Sequence, residues 1–313
     1  MKTKHLTACL LLLLAIGMNS CKKDDATAPS KTYAAHQELN VAYGNAALQK
    51  MDVYFPEGYN DQTPVVFTIH GGGFVAGVKE EFTSQAITFR DQGFVVVNIS
   101  HRLVDTAGLL SLPPVHKASA IKVADELADV DAAVKKYQSM AATWHSGTSK
   151  MYMAGHSAGA ILAMLYVQGD YNKDLHIRAS GNWAGVTDLS IPHDSLLAGV
   201  DPRLLELYYR ISGATPATSN NLYFMAISPY WVAYNAGGGR PNISIFPENN
   251  AVFNTQNEVA YNLANTRNFH TMLRNHNVPE QLSIYTGEDH GFGTIQGSWS
   301  RLIIETAAFF KAH

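Results

Sequence analysis

A chain of 313 residues is long enough for one large domain, and 46% apolar and 16% charged residues, with 24 Gly and 12 Pro spread along it, are the balance of a packed globular protein rather than a disordered one. Its 26 acidic and 23 basic side chains are interspersed to a formal charge of -3 and leave no basic stripe to neutralise a run of phosphates. Nucleic acid is therefore excluded as a partner.

The first segment is a targeting signal. Lys2 and Lys4 precede an apolar run from Leu6 to Met18 of about 13 residues, short of the roughly 20 a membrane-spanning helix needs, and Asn19 and Ser20 close it. Residues 1–20 read as a signal peptide. Ser20-Cys21-Lys22-Lys23-Asp24-Asp25 resembles the lipobox of bacterial lipoproteins, although Met18 and Asn19 are a loose fit. That resemblance implies export, diacylation of Cys21 and anchoring to the bacterial cell envelope at the outer membrane. Residues 21–34, charged and small, read as a tether, and 35–313 as one domain. Cys9 leaves with the signal, so no thiol remains for a disulfide.

From residue 50 onward, strand-like and helix-like stretches alternate. Lys50 to Phe55 alternates polar and apolar, as a half-buried antiparallel strand does, and Pro56 to Thr63 supplies a turn. Val65 to Ile69 and Phe94 to Ile99 are near-continuous β-branched runs, suited to parallel strands buried on both faces. A helix over Glu80 to Gln92 lies between them. Ala120, Val123, Leu127, Val130, Val134 and Tyr137 then recur at steps of three and four, marking an amphipathic helix. Strands follow at Met151 to Ala154, around Ala179 to Val186, at Ile243 to Phe246 and at Leu282 to Tyr285, with helices after Ser157 and Ser298. This order means an α/β fold, a mostly parallel central sheet with helices on both faces. Residues 188–240 break the rhythm with many aromatics, either as an insertion over the sheet's carboxyl edge, where ligands of such sheets bind, or as extra core.

Three segments carry chemistry. In Gly155-His156-Ser157-Ala158-Gly159 a strand turns into a helix so sharply that side chains two residues either side of the Ser would clash, which is why Gly stands there. Ser157 is the expected nucleophile. His70-Gly71-Gly72-Gly73-Phe74 directly follows a buried strand, and its glycines let the backbone approach a substrate and present N–H groups to the negative oxygen of acyl transfer. Gly72, Gly73 and Ala158 are the expected oxyanion-hole donors. A phosphate loop would end in Lys and then Ser or Thr, whereas Val75-Ala76-Gly77 follows here. Gly287-Glu288-Asp289-His290-Gly291 lies after the last strand and places His290 as general base late in the chain. His156 is expected to pack beside the elbow.

With Gln49 to Pro56, Ser100-His101-Arg102-Leu103, Trp183 to Leu189 and Ser228-Pro229, these segments resemble the hormone-sensitive-lipase-like esterases and the related feruloyl and acetyl esterases. The likeness spans nearly the whole mature chain. It implies the α/β-hydrolase fold, hydrolysis of carboxylic esters without cofactor or metal, and a small ester or acylated carbohydrate as substrate.

The chain departs from that group at the acid of the triad. The stretch resembling Gly-x-x-Asp-x-x-Val reads Phe246 to Val252 and puts Asn250 at the acid's place. An amide donates as well as accepts and can hold the base in the wrong tautomer. Glu248, reaching further than Asp, is the leading replacement; Asp188, after the sixth strand, is the second; an impaired triad with Asn250 in place is the third. Asp289, adjacent to His290, is discounted because neighbouring loop side chains diverge. Three functions remain open: an esterase, a degenerate hydrolase that binds a glycan or ester with little turnover, and a peptidase.

Overall fold

The computed structural model describes residues 31–190, 201–216, 221–251 and 256–313. The signal at 1–20, Cys21 and most of the tether lie outside the described residues, as do 191–200 and 217–220 of the aromatic segment. One sheet of eight strands runs in the order β1-β2-β4-β3-β5-β6-β7-β8. Its strands are β1 (His36–Ala42), β2 (Lys50–Phe55), β3 (Val65–Ile69), β4 (Val95–Ile99), β5 (Met151–His156), β6 (Ile177–Trp183), β7 (Asn242–Asn249) and β8 (Glu280–Asp289). The β1–β2 and β2–β4 pairs are antiparallel and all later pairs parallel, as the sequence pattern requires.

Strand alternation divides the core between the two faces. Met51, Val53, Phe67 and Val97 point to one side and meet Val130, Val134 and Tyr137 of α2 (Val123–Met140) and Leu162 and Leu165 of α3 (Ala158–Gln168). Tyr54, Val66 and Val96 point to the other and meet Phe89 of α1 (Thr83–Asp91) and Leu302, Ile303 and Phe310 of α8 (Ser298–Ala312). Burying both faces is what fixes the register, because a slip of one residue would exchange them. Between β6 and β7 stand α4 (Pro202–Ser212), α5 (Asn221–Ala226) and α6 (Pro229–Asn235), and α7 (Gln256–Asn275) precedes β8. No helix among the described residues is long and apolar enough to cross a membrane.

Composition puts Tyr33 in the tether, yet its backbone bridges Tyr59 and its ring stacks on His145 with centroids 4.2 Å apart. The expected helix over Glu80 to Gln92 divides into a 3-10 turn at Lys79–Phe82 and α1. The aromatic segment realises parts of both expectations. Tyr209 and Phe224 form a small core of their own with Ala214, while α4 fastens the loop that leaves the carboxyl end of β4. Arg210, buried on α4, donates to the carbonyls of Asp105, Ala107 and Val115 and to Glu206 at 2.6 Å. Burial pushes the Glu206 carboxyl up, but bonds from Arg210, His116 and the Lys117 N–H outweigh it and hold the group below its ordinary value.

Arg210→Met removes the guanidinium from buried Glu206, which keeps only His116 and the Lys117 N–H, and leaves the carbonyls of Asp105, Ala107 and Val115 without that donor. Losing one partner of a buried pair costs about 3–5 kcal/mol, so urea unfolding should shift by that much. A loss under about 1 kcal/mol would mean that Arg210 does not hold the loop.

Candidate active site

All five expected site segments come off the carboxyl ends of parallel strands. Ser157 follows β5, the Gly71–Gly73 loop β3, the Asp188 segment β6, Glu248 and Asn250 stand at the end of β7, and His290 follows β8. Such crevices are where open α/β sheets bind ligands.

The elbow explains its two glycines. Ser157 sits at φ 54°, ψ -121°, a strained position for a residue with a side chain, and its N–H is pinned to Trp183 O at 2.9 Å. A Cβ on Gly155 would overlap the backbone of Gly159, and one on Gly159 would overlap the carbonyls of Ile69 and His70. Strand β5, helix α3 and the loop after β3 therefore touch through bare backbone. The Gly71 loop lies against the same point, since a Cβ there would stand 3.3 Å from Ser157 Cβ. Gly72 has φ 116° and no room for a Cβ against Ala76 O, and its own carbonyl accepts from Val75 and Ala76. Among the described residues, the N–H groups of Gly72, Gly73 and Ala158 have no protein acceptor, and Ala158 opens α3, where N–H groups point outward along the helix axis. The loop's outer side is held by the Val104 N–H, which donates to Phe74 O at 2.9 Å.

His290 bridges to Ser157. Its Nε2 stands 2.9 Å from Ser157 Oγ and its Nδ1 2.6 Å from Asn250 Oδ1. Burial, together with neighbouring His156, lowers the ring's pKa to about 4, against a smaller opposing pull from Asp289. His156 does more than pack beside the elbow: its Nε2–H donates to the His290 carbonyl at 2.8 Å, and burial keeps its own pKa low. Two further supports brace the His290 loop. Buried Glu288 accepts from Thr294 N, Ile295 N and the Ser298 hydroxyl, and Trp299 Nε1 donates to Gly291 O at 3.1 Å. The sequence reading missed Glu288, whose only signal was a carboxylate inside a glycine-bounded loop.

The leading expectation for the base's partner is corrected. Glu248 Oε2 accepts from Gly287 N at 2.8 Å and forms no hydrogen bond with His290. The cause lies in the ladder: from Pro247 to Asn249 strand β7 advances two residues while β8 advances four, from Tyr285 to Asp289. The surplus on β8 leaves the Gly287 N–H unpaired, and the Glu248 carboxylate takes it. Asp188 likewise forms no hydrogen bond with His290, its Oδ1 accepting from Ser190 N at 2.8 Å. Asp289, discounted at the start, caps the N–H groups of Gly291 and Gly293.

Asn250 is therefore the partner, buried and 1% exposed. Its Nδ2 faces Ala184 O at a long 3.5 Å, so the opposite amide orientation would set two carbonyl oxygens against each other. With Oδ1 toward His290, Nδ1 must be the donor, which leaves the Nε2 lone pair for the Ser157 hydroxyl. The amide thus selects the tautomer a general base needs, without supplying the charge a carboxylate would. No cluster of His, Cys, Asp or Glu among the described residues is placed to hold a metal ion.

Residues 51–195 match the family model BD-FAE, a stretch that includes the glycine loop and Ser157 but stops before Asn250 and His290. Kynurenine formamidase from Salmo salar is 28% identical over 135 residues, 43% of this chain and 40% of its own length. The chain spans less than half the length of the curated relatives it matches. A truncated carbohydrate esterase from gut microbiota superposes with a TM-score of 0.66 at 18% identity, covering 91% of this chain and 98% of that one. Esterase B from Lactobacillus rhamnosis, in an inhibited form, gives 0.65 at 16% identity over 91% of this chain and 89% of its own. With eight strands in the order described and Ser157 at the turn after β5, the chain has the α/β-hydrolase fold.

Proposed function

We propose that the protein is a serine carboxylesterase that cleaves small acyl or aryl esters, including those carried on carbohydrate, through an acyl-enzyme. The observation that carries this reading is the relay from Ser157 Oγ through His290 to Asn250, at 2.9 and 2.6 Å, with the glycine loop lying against Ser157. Ser157 Oγ attacks the ester carbonyl as its proton passes to His290 Nε2. The oxygen that becomes negative is received by the N–H groups of Gly72, Gly73 and Ala158. His290 then returns the proton to the departing alcohol. A water then attacks the acyl carbonyl as His290 takes its proton, the acyl–Ser157 bond breaks as His290 passes that proton to Ser157 Oγ, and the carboxylic acid leaves. Esterases and a carbohydrate esterase among the structural neighbours support the choice of substrate class.

Hydrolysis of a short-chain aryl ester tests the reading. Because His290 titrates at about 4, kcat/KM should stay level from pH 8 down to about pH 5 and fall only below that. Absence of turnover in that range contradicts it and favours the second reading, a degenerate hydrolase that binds without cleaving, which the uncharged Asn250 supports. Export and lipidation at Cys21 belong to the same proposal: labelled palmitate should enter the full chain in a bacterial host and not enter a Cys21→Ala variant.

A further inference from the structure

Away from the Ser157 crevice, α6 and α7 enclose a groove of about 280 Å³ lined by Tyr230, Tyr234, Asn268, Thr271, Met272, Asn275 and His276. On its α6 side, Tyr230 donates its backbone N–H to Thr187 O just beyond β6. Buried Met272 forms its floor, while Tyr234 stands 52% exposed at its rim.

The lining has a specific chemistry. The rings of Tyr230 and Tyr234 are parallel within 9° with centroids 6.3 Å apart, and the Trp231 ring meets both at near right angles, at 5.1 and 6.1 Å, so that the three form one aromatic cluster beside the groove. Asn268, Thr271 and Asn275 recur at helical spacing on α7, and none of their side chains takes part in a hydrogen bond among the described residues. His276 donates Nδ1–H to Met272 O at 2.9 Å, which leaves Nε2 as an acceptor. Among the described residues, no carboxylate, Lys or Arg lines the groove. A charged ligand would find no counter-charge there, and an apolar one would strand the amides. A ligand with C–H faces and hydroxyl edges satisfies both: the negative faces of the rings attract C–H groups, and each amide offers two donors and an acceptor.

We propose that this groove binds a neutral polysaccharide, with sugar rings on Tyr230 and Tyr234 and hydroxyls on Asn268, Thr271 and Asn275. The choice of ligand rests on the carbohydrate-ester reading, but binding itself needs no turnover. The test is native electrophoresis of the protein in gels containing soluble xylan, with polygalacturonate as the charged control and short-chain aryl ester hydrolysis measured alongside. Retardation by xylan alone, reduced at least tenfold in Tyr234→Ala while aryl ester turnover is unchanged, is the expected result. Absence of retardation, equal retardation of Tyr234→Ala, or retardation by polygalacturonate alone overturns the groove, whatever the ester assay gives. Xylan retardation lost in Tyr234→Ala in a protein that does not cleave the aryl ester would keep the groove and overturn the esterase.

Discussion

Asn250→Asp raises turnover of a short-chain aryl ester at pH 8 by on the order of 10²-fold and moves the acid limb of its pH profile upward. In the parent protein burial and His156 hold His290 at about 4, so the ring is a neutral base across the working range but a poor home for the positive charge it gains in the transition state. A carboxylate accepting from Nδ1 favours the imidazolium and raises its pKa. The base form is then lost at a higher pH, so activity falls off earlier on acidification even as its plateau rises. The gain stays below the 10⁴ associated with replacing Asp by Asn in serine proteases, because part of that loss comes from a wrong tautomer and Asn250 already holds the right one. A cost opposes it: the second oxygen of the new carboxylate would face Ala184 O, where Nδ2 now points. An unmoved acid limb would show that residue 250 does not govern His290.

The second large effect is loss. Ser157→Ala should lower kcat by on the order of 10⁴-fold or more, with His290→Ala alike and the double variant no worse than either. Residues that act in one proton relay fail together, and the measured costs do not add. Two independent tenfold losses that multiplied in the double variant would instead describe a binding pocket in which neither group is chemically engaged. Far-ultraviolet circular dichroism of Ser157→Ala should be unchanged, because the strain at φ 54° and the glycine contacts belong to the backbone and remain.

Most of the frame was legible because it rests on burial that hydropathy records. Val65 to Ile69 and Val95 to Ile99 are buried on both faces and read as central strands, and the glycines of the elbow and the loop after β3 announced where backbone meets backbone. Helix α7 was not legible because its inner face carries Asn262 and Thr266 among Phe269, Met272 and Leu273, which breaks the apolar period while leaving the helix sound. Strand β1 was missed for a related reason: it is an exposed edge strand, and Asn40, at φ 56°, interrupts its pairing with β2.

The site divides in the same way. Ser157 and His290 were named from their turns, since a turn is a local property that sequence records. The identity of the base's partner was not local. It depended on a register shift between β7 and β8 that leaves the Gly287 N–H free, and on the Ala184 carbonyl that orients the amide. Neither feature is written in the seven residues from Phe246 to Val252. His156 and Glu288 are alike in this respect, since each acts by holding the backbone of the His290 loop rather than through a motif of its own.

The central claim is that Ser157 Oγ is an activated nucleophile despite an uncharged partner for its base. Its most direct measurement is peptide mapping by mass spectrometry after exposure to a fluorophosphonate at pH 7. The account predicts a single phosphonyl adduct on Ser157, formed in wild type and absent from His290→Ala. An unlabelled wild-type protein, or an adduct on Ser157 that forms equally fast without His290, would contradict it.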